Sequence, residues 1–332
     1  MKKALVLGGG GFIGSHIAKR LKSVGFWVRV VDIKEKPSFF EVGEICDEYL
    51  SLDLRSSSAT SKAFYHPDQI TIDDSENAFD EVYNLAADMG GAGYIFSGEN
   101  DFDVMSNSAR INLNVSTLAC THGVKRLFFS SSACVYPEHN QTNPNDPITE
   151  ESTAYPANPD SEYGWEKLFS ERLYFAANRN KGLEVRVARY HNVYGPHGTW
   201  NDGKEKAPAA LCRKIAMAED EIEIWGDGLQ TRSFLYIDDA VDATIDFMRQ
   251  DNHPGPVNIG SEEMVTIKGL AEVIMRAADK EVSFKHKLSA PTGVRGRSSH
   301  NDLLRELIGF EPKYRLADGI VPTYNWIKKQ IG

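Results

Sequence analysis

Nothing in the chain approaches the roughly 18 consecutive apolar residues of a membrane span. The N-terminus, where Lys2 and Lys3 lead at once into a short apolar run broken by glycines, has no signal-peptide pattern. A cytoplasmic protein is therefore expected. Cysteine is scarce: the four residues Cys46, Cys120, Cys134 and Cys212 form no close pair, which supports neither a disulfide framework nor zinc-ligand spacing. The nine histidines show no HxxxH spacing in acidic company, so no metal is expected. Positive charge is also short. Lys plus Arg number 37 against 47 Asp plus Glu, a formal net charge of −10, which argues against nucleic acid as a partner. An anionic small molecule would need a local basic cluster set against that overall field.

What is there suits an α/β protein. The 332 residues are 41% hydrophobic and 25% charged, ordinary values for a soluble globular chain able to bury a sizeable core. The length fits a nucleotide domain with a smaller substrate-binding lobe. Lys3 to Leu7 reads as a hydrophobic strand, followed by Gly8-Gly9-Gly10-Gly11-Phe12-Ile13-Gly14 and a helical pattern from Ser15 to about Val24. Glycines at 8, 11 and 14 fit GxxGxxG, the spacing that lets a backbone turn press on a pyrophosphate at a helix N-terminus. Alone, such a stretch can be a mere turn. A second strand, Val28 to Val31, ends in Asp32, at about the ~20-residue offset where an acid binds a ribose 2′-hydroxyl. That acid would repel a 2′-phosphate, so NAD is expected rather than NADP. A third strand spans Glu48 to Ser51 before Asp53, and a fourth runs from Glu81 to Ala87. The polar stretch between Arg55 and Asp80 reads as a helix and then surface loop.

After the fourth strand, Met89-Gly90-Gly91-Ala92-Gly93 is either a close ligand approach or a flexible connection. A helix from Val104 to Cys120 leads to Leu127-Phe128-Phe129-Ser130-Ser131-Ser132-Ala133-Cys134, a buried strand that turns abruptly into hydroxyls and a thiol. Ligands collect beyond the carboxyl ends of parallel strands, so Ser132 and Cys134 stand where chemistry is placed. The plainer alternative is a small buried cysteine. Tyr163 and Lys167 open a helix reaching about Asn178 and, at i and i+4, share one face. A nearby cation lowers a phenol from its free value of ~10 toward neutrality, which makes Tyr163 a candidate general base. The alternative for YxxxK is a surface pair.

The second half has a strand from Glu184 to Arg189 and further strand character at Val257 to Gly260. Between and after them lie Gly203-Lys204-Glu205-Lys206-Ala207-Pro208, Lys214, Trp225 to Ser233 and Gly293 to Arg297. These supply the local basic cluster, with arginines in glycine-flanked loops suited to a diphosphate.

GxxGxxG, the serine-ended strand and YxxxK, in that order, resemble the extended short-chain dehydrogenase/reductase superfamily acting on nucleotide sugars. Ala86 to Gly91, Ser132 to Pro137, Gly198 to Trp200, Glu205 to Ala210, Trp225 to Ser233 and Gly293 to Arg297 narrow the likeness to the GDP-mannose 3,5-epimerases. Related 4,6-dehydratases carry Thr-Asp-Glu-type acids where this chain has Ser132-Ala133-Cys134.

The resemblance implies a doubly wound Rossmann-type parallel sheet. The NAD domain would span 1–190 with a return segment near 231–262, and 191–230 with 263–332 would form the nucleotide-sugar lobe. It further implies that Tyr163 takes the sugar 4-hydroxyl proton, that Ser132 steadies the oxygen, and that Lys167 holds the nicotinamide ribose. Cys134 and Lys206 become the acid/base pair that inverts C3 and C5; the alternative for Lys206 is a diphosphate contact. Gly8, Gly11, Phe12, Ile13, Gly14, Asp32 and Asp53 would hold NAD with Tyr163 and Lys167. Gly93, Ala133, Asn192, Glu205, Ala207, Lys214, Gln230, Thr231, Arg232 and Arg295 would surround the GDP-sugar together with Ser132, Cys134 and Lys206.

The helices near 104–120 and 163–178 resemble a dimerising pair, so a homodimer is expected. Two departures stand out: the 56–80 segment is long for the family, and no tail like that of plant members follows Gly332. The rival reading is a C4 oxidoreductase or C5 epimerase acting on another GDP-hexose or GDP-heptose. A catalytically silent nucleotide-sugar sensor would not need Cys134, Tyr163, Lys167 and Lys206 together.

Overall fold

The structure, a computed structural model, describes residues 1–65, 78–251 and 253–332. In chain order the first half runs β1 (Lys3–Leu7), α1 (Phe12–Ser23), β2 (Trp27–Asp32), α2 (Val42–Ile45), β3 (Glu48–Ser51), α3 (Ser57–Phe64) and β4 (Glu81–Asn84). It continues with α4 (Ala92–Ile95), α5 (Asp101–Thr121), β5 (Arg126–Ser132), α6 (Glu162–Lys181) and β6 (Glu184–Tyr190). The second half holds β7 (Val193–Tyr194), α7 (Ala207–Met217), β8 (Glu221–Trp225), β9 (Thr231–Ser233), β10 (Leu235–Tyr236), α8 (Ile237–Arg249) and β11 (Val257–Ile259). Then follow β12 (Met264–Thr266), α9 (Ile267–Ala278), β13 (Ser283–Lys287), β14 (Gly296–Arg297), α10 (Asp302–Ile308) and α11 (Leu316–Ile331).

Seven strands form one sheet in the order β11-β6-β5-β4-β1-β2-β3, every neighbouring pair parallel. Parallel strands need crossovers that put helices on both faces, so they read as continuous apolar runs. In β1, Ala4 and Val6 enter one core cluster while Leu5 and Leu7 enter the other, on opposite faces of the pleat. The strand order reverses between β1 and β4, and a crevice opens at their carboxyl ends. The doubly wound α/β class expected above is the class observed. The smaller lobe is built from β12-β9-β14 and β8-β13 with α7, α9 and α11, and its apolar residues continue the core cluster that lies under β1 and β2.

Several boundaries differ from expectation. Helix α1 starts at Phe12 rather than Ser15, because Gly11 is extended and serves as its N-cap. Strand β4 stops at Asn84; the Leu85 amide still donates to Leu7 O at 2.9 Å, and Ala86 then crosses beside the glycine turn. Helix α5 begins at Asp101, with Asp101 and Asp103 favourably placed against the positive end of its dipole. The helix expected after Arg55 is α3, capped by the Ser56 hydroxyl on the Ala59 amide; the surface loop expected after it falls largely on 66–77, outside the described residues.

Candidate functional site

The glycine turn between β1 and α1 has no room for side chains. At Gly8, with φ of +78°, an added Cβ would lie 2.7 Å from the Ala86 backbone nitrogen, and at Gly14 it would lie 2.4 Å from the Gly8 carbonyl oxygen. The turn is thus pressed between the exit of β4 and its own helix, leaving the first amides of α1 aimed at the crevice. Asp32 ends β2 buried and accepts the amides of Gly10 (2.9 Å) and Lys34 (3.1 Å). The next strand brings Leu52 N to Asp32 O at 2.9 Å, so Asp53 stands beside this strand end. There Arg55 grips the Asp53 carboxylate at 2.7 Å and holds it below the usual carboxylate range. Phe12 offers a ligand only its backbone, since its ring lies against Gly198 and edge-on to His16. A tight glycine cradle, a helix N-terminus and a buried acid at the end of β2 fit a dinucleotide such as NAD.

Beyond β5 the chain turns through one 3₁₀ turn, Ala133–Val135, and the Ser132 hydroxyl accepts the Cys134 amide at 3.2 Å. Helix α6, capped by Ser161 on the Gly164 amide, lies directly on this turn: an added Cβ at Gly164 would be 2.1 Å from the Cys134 carbonyl oxygen. That contact brings Tyr163 (7% exposed) and Lys167 (1%) under the end of β5. Lys167 Nζ donates to Ser130 O at 2.9 Å and sits over the rings of Phe129 and Tyr163, 4.8 and 5.6 Å from their centroids.

One expectation is corrected here. The Tyr163 phenol is not lowered toward neutrality. Burial pushes it above its ordinary value and Cys134 adds to the rise, against a smaller pull from Ser132. Burial likewise pushes Lys167 down. The ammonium, turned to the Ser130 carbonyl, lies over the ring instead of offsetting what the hydroxyl loses in leaving water.

Cys134 (9% exposed) packs with Ile95, Val104 and Tyr163. Lys206 is half-buried at the N-cap of α7. Burial pushes its ammonium down, with Cys134 opposing, and the positive end of the α7 dipole also disfavours the charge. The glycine loop after β4 locks the Lys206 loop in place: Gly91 N donates to Lys204 O at 2.9 Å, and a Cβ on Gly91 would be 2.3 Å from Glu205 O. Lys204 caps the arrangement with its Nζ 3.8 Å from the Tyr94 ring centroid. Ser132, Cys134, Tyr163, Lys167 and Lys206 therefore converge, and the Met89–Gly93 loop is a close backbone approach rather than a loose connection.

The other substrate candidates spread over the lobe. Gly93 lies under the Trp225 ring, which Lys214 also approaches while donating to Glu223 O at 2.8 Å. Gln230 donates to Trp225 O at 3.0 Å, and its buried Oε1 is without a partner. Arg232 donates to the carbonyls of Thr231 (2.7 Å) and Thr292 (3.0 Å), and burial, with Arg297 beside it, pushes it down to about 9. Asn192, at φ +42°, ties its side chain to Ser233 O, and the Thr231 hydroxyl to Pro144 O. Glu205 is turned to Arg213 at 2.7 Å and Arg295 to Asp227 at 3.1 Å, the latter pair well exposed.

Arg297 was not singled out from sequence. It is buried, and donates to Gln141, Asp160 and the Cys134 sulfur. Its only sequence signal is an Arg-Gly-Arg run in which either arginine could be the buried one.

Residues 4–260 match the model of a family described as "NAD dependent epimerase/dehydratase family". The chain is 45% identical over 326 residues to GDP-mannose 3,5-epimerase 1 of Oryza sativa subsp. indica, covering 98% of this chain and 82% of that one. It is 44% identical over 329 residues to GDP-mannose 3,5-epimerase of Arabidopsis thaliana, covering 99% and 83%. Among solved structures, UDP-glucose 4-epimerase with UDP-glucose from Thermotoga maritima aligns with a TM-score of 0.83 at 25% identity, over 99% of this chain and all of that one. A UDP-glucose 4-epimerase complex with NAD from Thermus thermophilus aligns at 0.80 and 22% identity over 98% and 99%, a likeness of fold.

Proposed function

The chain belongs to the NAD dependent epimerase/dehydratase family, and on that premise we propose that it epimerises GDP-mannose at C3 and C5, giving GDP-L-galactose, GDP-L-gulose or both. NAD is its cofactor. When bound, NAD would supply a reversible hydride acceptor for the sugar C4. Gly8, Gly11, Gly14 and Asp32 hold the dinucleotide, with Lys167 at its ribose.

Tyr163 takes the 4-hydroxyl proton as C4 is oxidised, and Ser132 steadies the same oxygen. A ketone at C4 acidifies the hydrogens on C3 and C5. Each centre inverts when one group removes its proton from one face and another returns a proton to the opposite face. Cys134 and Lys206 are that pair, and a thiol together with an ammonium pushed down by burial suits proton exchange near neutral pH. Re-reduction at C4 completes a redox-neutral cycle.

The observation that carries this reading is a thiol packed on the redox tyrosine at the end of β5, with the loop carrying Lys206 docked onto Gly91 beside them. A dehydratase would place a carboxylic acid where Cys134 stands. Gln230, Arg232 and Arg295 are proposed contacts of the GDP-sugar. The division into an NAD domain (1–190 with 231–262) and a nucleotide-sugar lobe (191–230 with 263–332) belongs to the same proposal.

GDP-mannose incubated with the NAD-loaded protein in heavy water should gain deuterium at C3 and C5. NMR showing label at neither carbon overturns the epimerase reading, and label at C5 alone supports the rival that inverts only C5.

The same reading makes the protein a cytosolic homodimer. Four free thiols suit a reducing compartment. Helices α5 and α6 pack on each other and leave Phe102 (79% exposed), Leu113 and Phe169 facing outward, an apolar face suited to the same pair in a second copy. Light scattering should return twice the 37.0 kDa chain mass; a monomer mass refutes the dimer.

A further inference from the structure

Arg297 lies 163 residues from Cys134 in sequence, yet all three faces of its guanidinium are committed around that thiol. Nε donates to Gln141 Oε1 at 2.6 Å, Nη2 to Asp160 Oδ2 at 2.7 Å and Nη1 to Cys134 Sγ at 3.2 Å. With only 6% of the residue exposed, water does not compete for these donors. Two contacts brace the planar fork, so the third is aimed by geometry rather than by side-chain wandering.

The charges facing the sulfur are unbalanced. Strand β14 brings Arg297 and its register partner on β9, Arg232. Lys206 faces it from the N-cap of α7, and Tyr163 and Lys167 from α6. Lys167 already has the carboxylates of Glu166 and Glu171 near it, and the remaining carboxylate, Asp160, is paired to Arg297. The side toward α4 and α5 is apolar, with Ile95 and Val104 in contact and Met89 and Phe96 behind them. Arg297 and the half-buried Arg232 beside the single carboxylate of Asp160 leave a positive charge that an anionic sulfur would neutralise, and a neutral thiol is only a weak acceptor for Arg297.

We propose that Arg297 is a positioning residue that fixes where the Cys134 sulfur points and stabilises negative charge on that sulfur when it gives up its proton. The proposal rests on reading Cys134 as an acid/base group of the epimerisation. Without the guanidinium the sulfur would lose the donor that meets its negative charge and would be a poorer group for removing a proton from carbon.

The test is the pH dependence of Cys134 alkylation by iodoacetamide in the NAD-loaded, substrate-free protein. Subtracting the Cys134→Ala protein removes the signal of Cys46, Cys120 and Cys212. Arg297→Gln should cut the alkylation rate at pH 6.5 at least tenfold and move the profile at least one unit to higher pH, whereas Arg297→Lys should restore part of the rate. A brace of the Gln141 and Asp160 loops would lower thermal stability in both variants without moving the profile, and an unmoved profile in folded Arg297→Gln overturns the proposal. Should Arg297→Gln not fold, Asp160→Asn decides. Freeing Arg297 of its carboxylate should shift the profile to lower pH, and a shift to higher pH overturns the proposal. Alkylation needs no sugar, so an Arg297-dependent profile with no deuterium entering GDP-mannose would reject the epimerase reading and leave this one standing.

Discussion

Cys134→Ala abolishes deuterium incorporation at C3 and C5 of GDP-mannose in heavy water, with a fall of about a thousandfold, inside the ~10²–10⁴ range for losing a positioned acid/base group. Oxidation at C4 survives, seen as absorbance of the reduced nicotinamide on the enzyme, because Tyr163, Ser132 and Lys167 are untouched. The substitution leaves the fold in place. Helix α6 seats its backbone on the Cys134 carbonyl, which alanine keeps, and Arg297 keeps Gln141 and Asp160 as acceptors. The cost is one unmade contact of a charged donor, on the order of 1–3 kcal/mol. Exchange within tenfold of the parent would remove Cys134 from the acid/base pair. Loss of exchange and oxidation together would place it in sugar binding instead.

Tyr163→Phe stops the cycle one step earlier. Carbon-bound hydrogens on C3 and C5 become acidic only once C4 is a ketone, so C4 oxidation and both exchanges fall together by ~10²–10⁴-fold. The ring still fills its place beneath the end of β5, and Lys167 still lies over it. Burial raises the phenol of the parent protein above its ordinary value. Its basic form therefore accumulates only as pH rises, and single-turnover C4 oxidation in the parent should climb with pH through neutrality. The variant's residual rate should be flat. Stopped-flow absorbance of the reduced nicotinamide measures both, and retained oxidation in Tyr163→Phe would assign the proton transfer to another group.

The two variants separate what the chain announces locally from what it does not. Gly8, Gly11 and Gly14, the acid ending β2, the hydroxyls ending β5 and the Tyr163–Lys167 turn each lie within one strand–turn–helix unit. Backbone periodicity suffices to put them at the carboxyl edge of a parallel sheet. The sheet order follows from the same repeated unit and its one crossover hand. Local pattern was misleading where solvation decides: four residues apart on a helix, an ammonium should lower a phenol, but burial of both groups outweighs their proximity. Between Arg295 and Arg297 it could not choose, since which arginine is buried depends on how two residues of β14 pair with β9.

The amino-acid order alone determined the fold class and the cofactor, and it put Ser132 at a strand end and Tyr163 and Lys167 on one helix face, because spacing within a helix or strand converts directly into a shared face; the redox roles proposed for them come from the family resemblance. Tertiary structure alone decided the rest of the pocket. Lys206 comes near Cys134 only because the backbone of Lys204 and Glu205 docks on Gly91. Arg297 reaches the thiol only through a strand pairing made late in the chain. Encounters between distant segments are set by which surfaces bury each other, and no local periodicity records that.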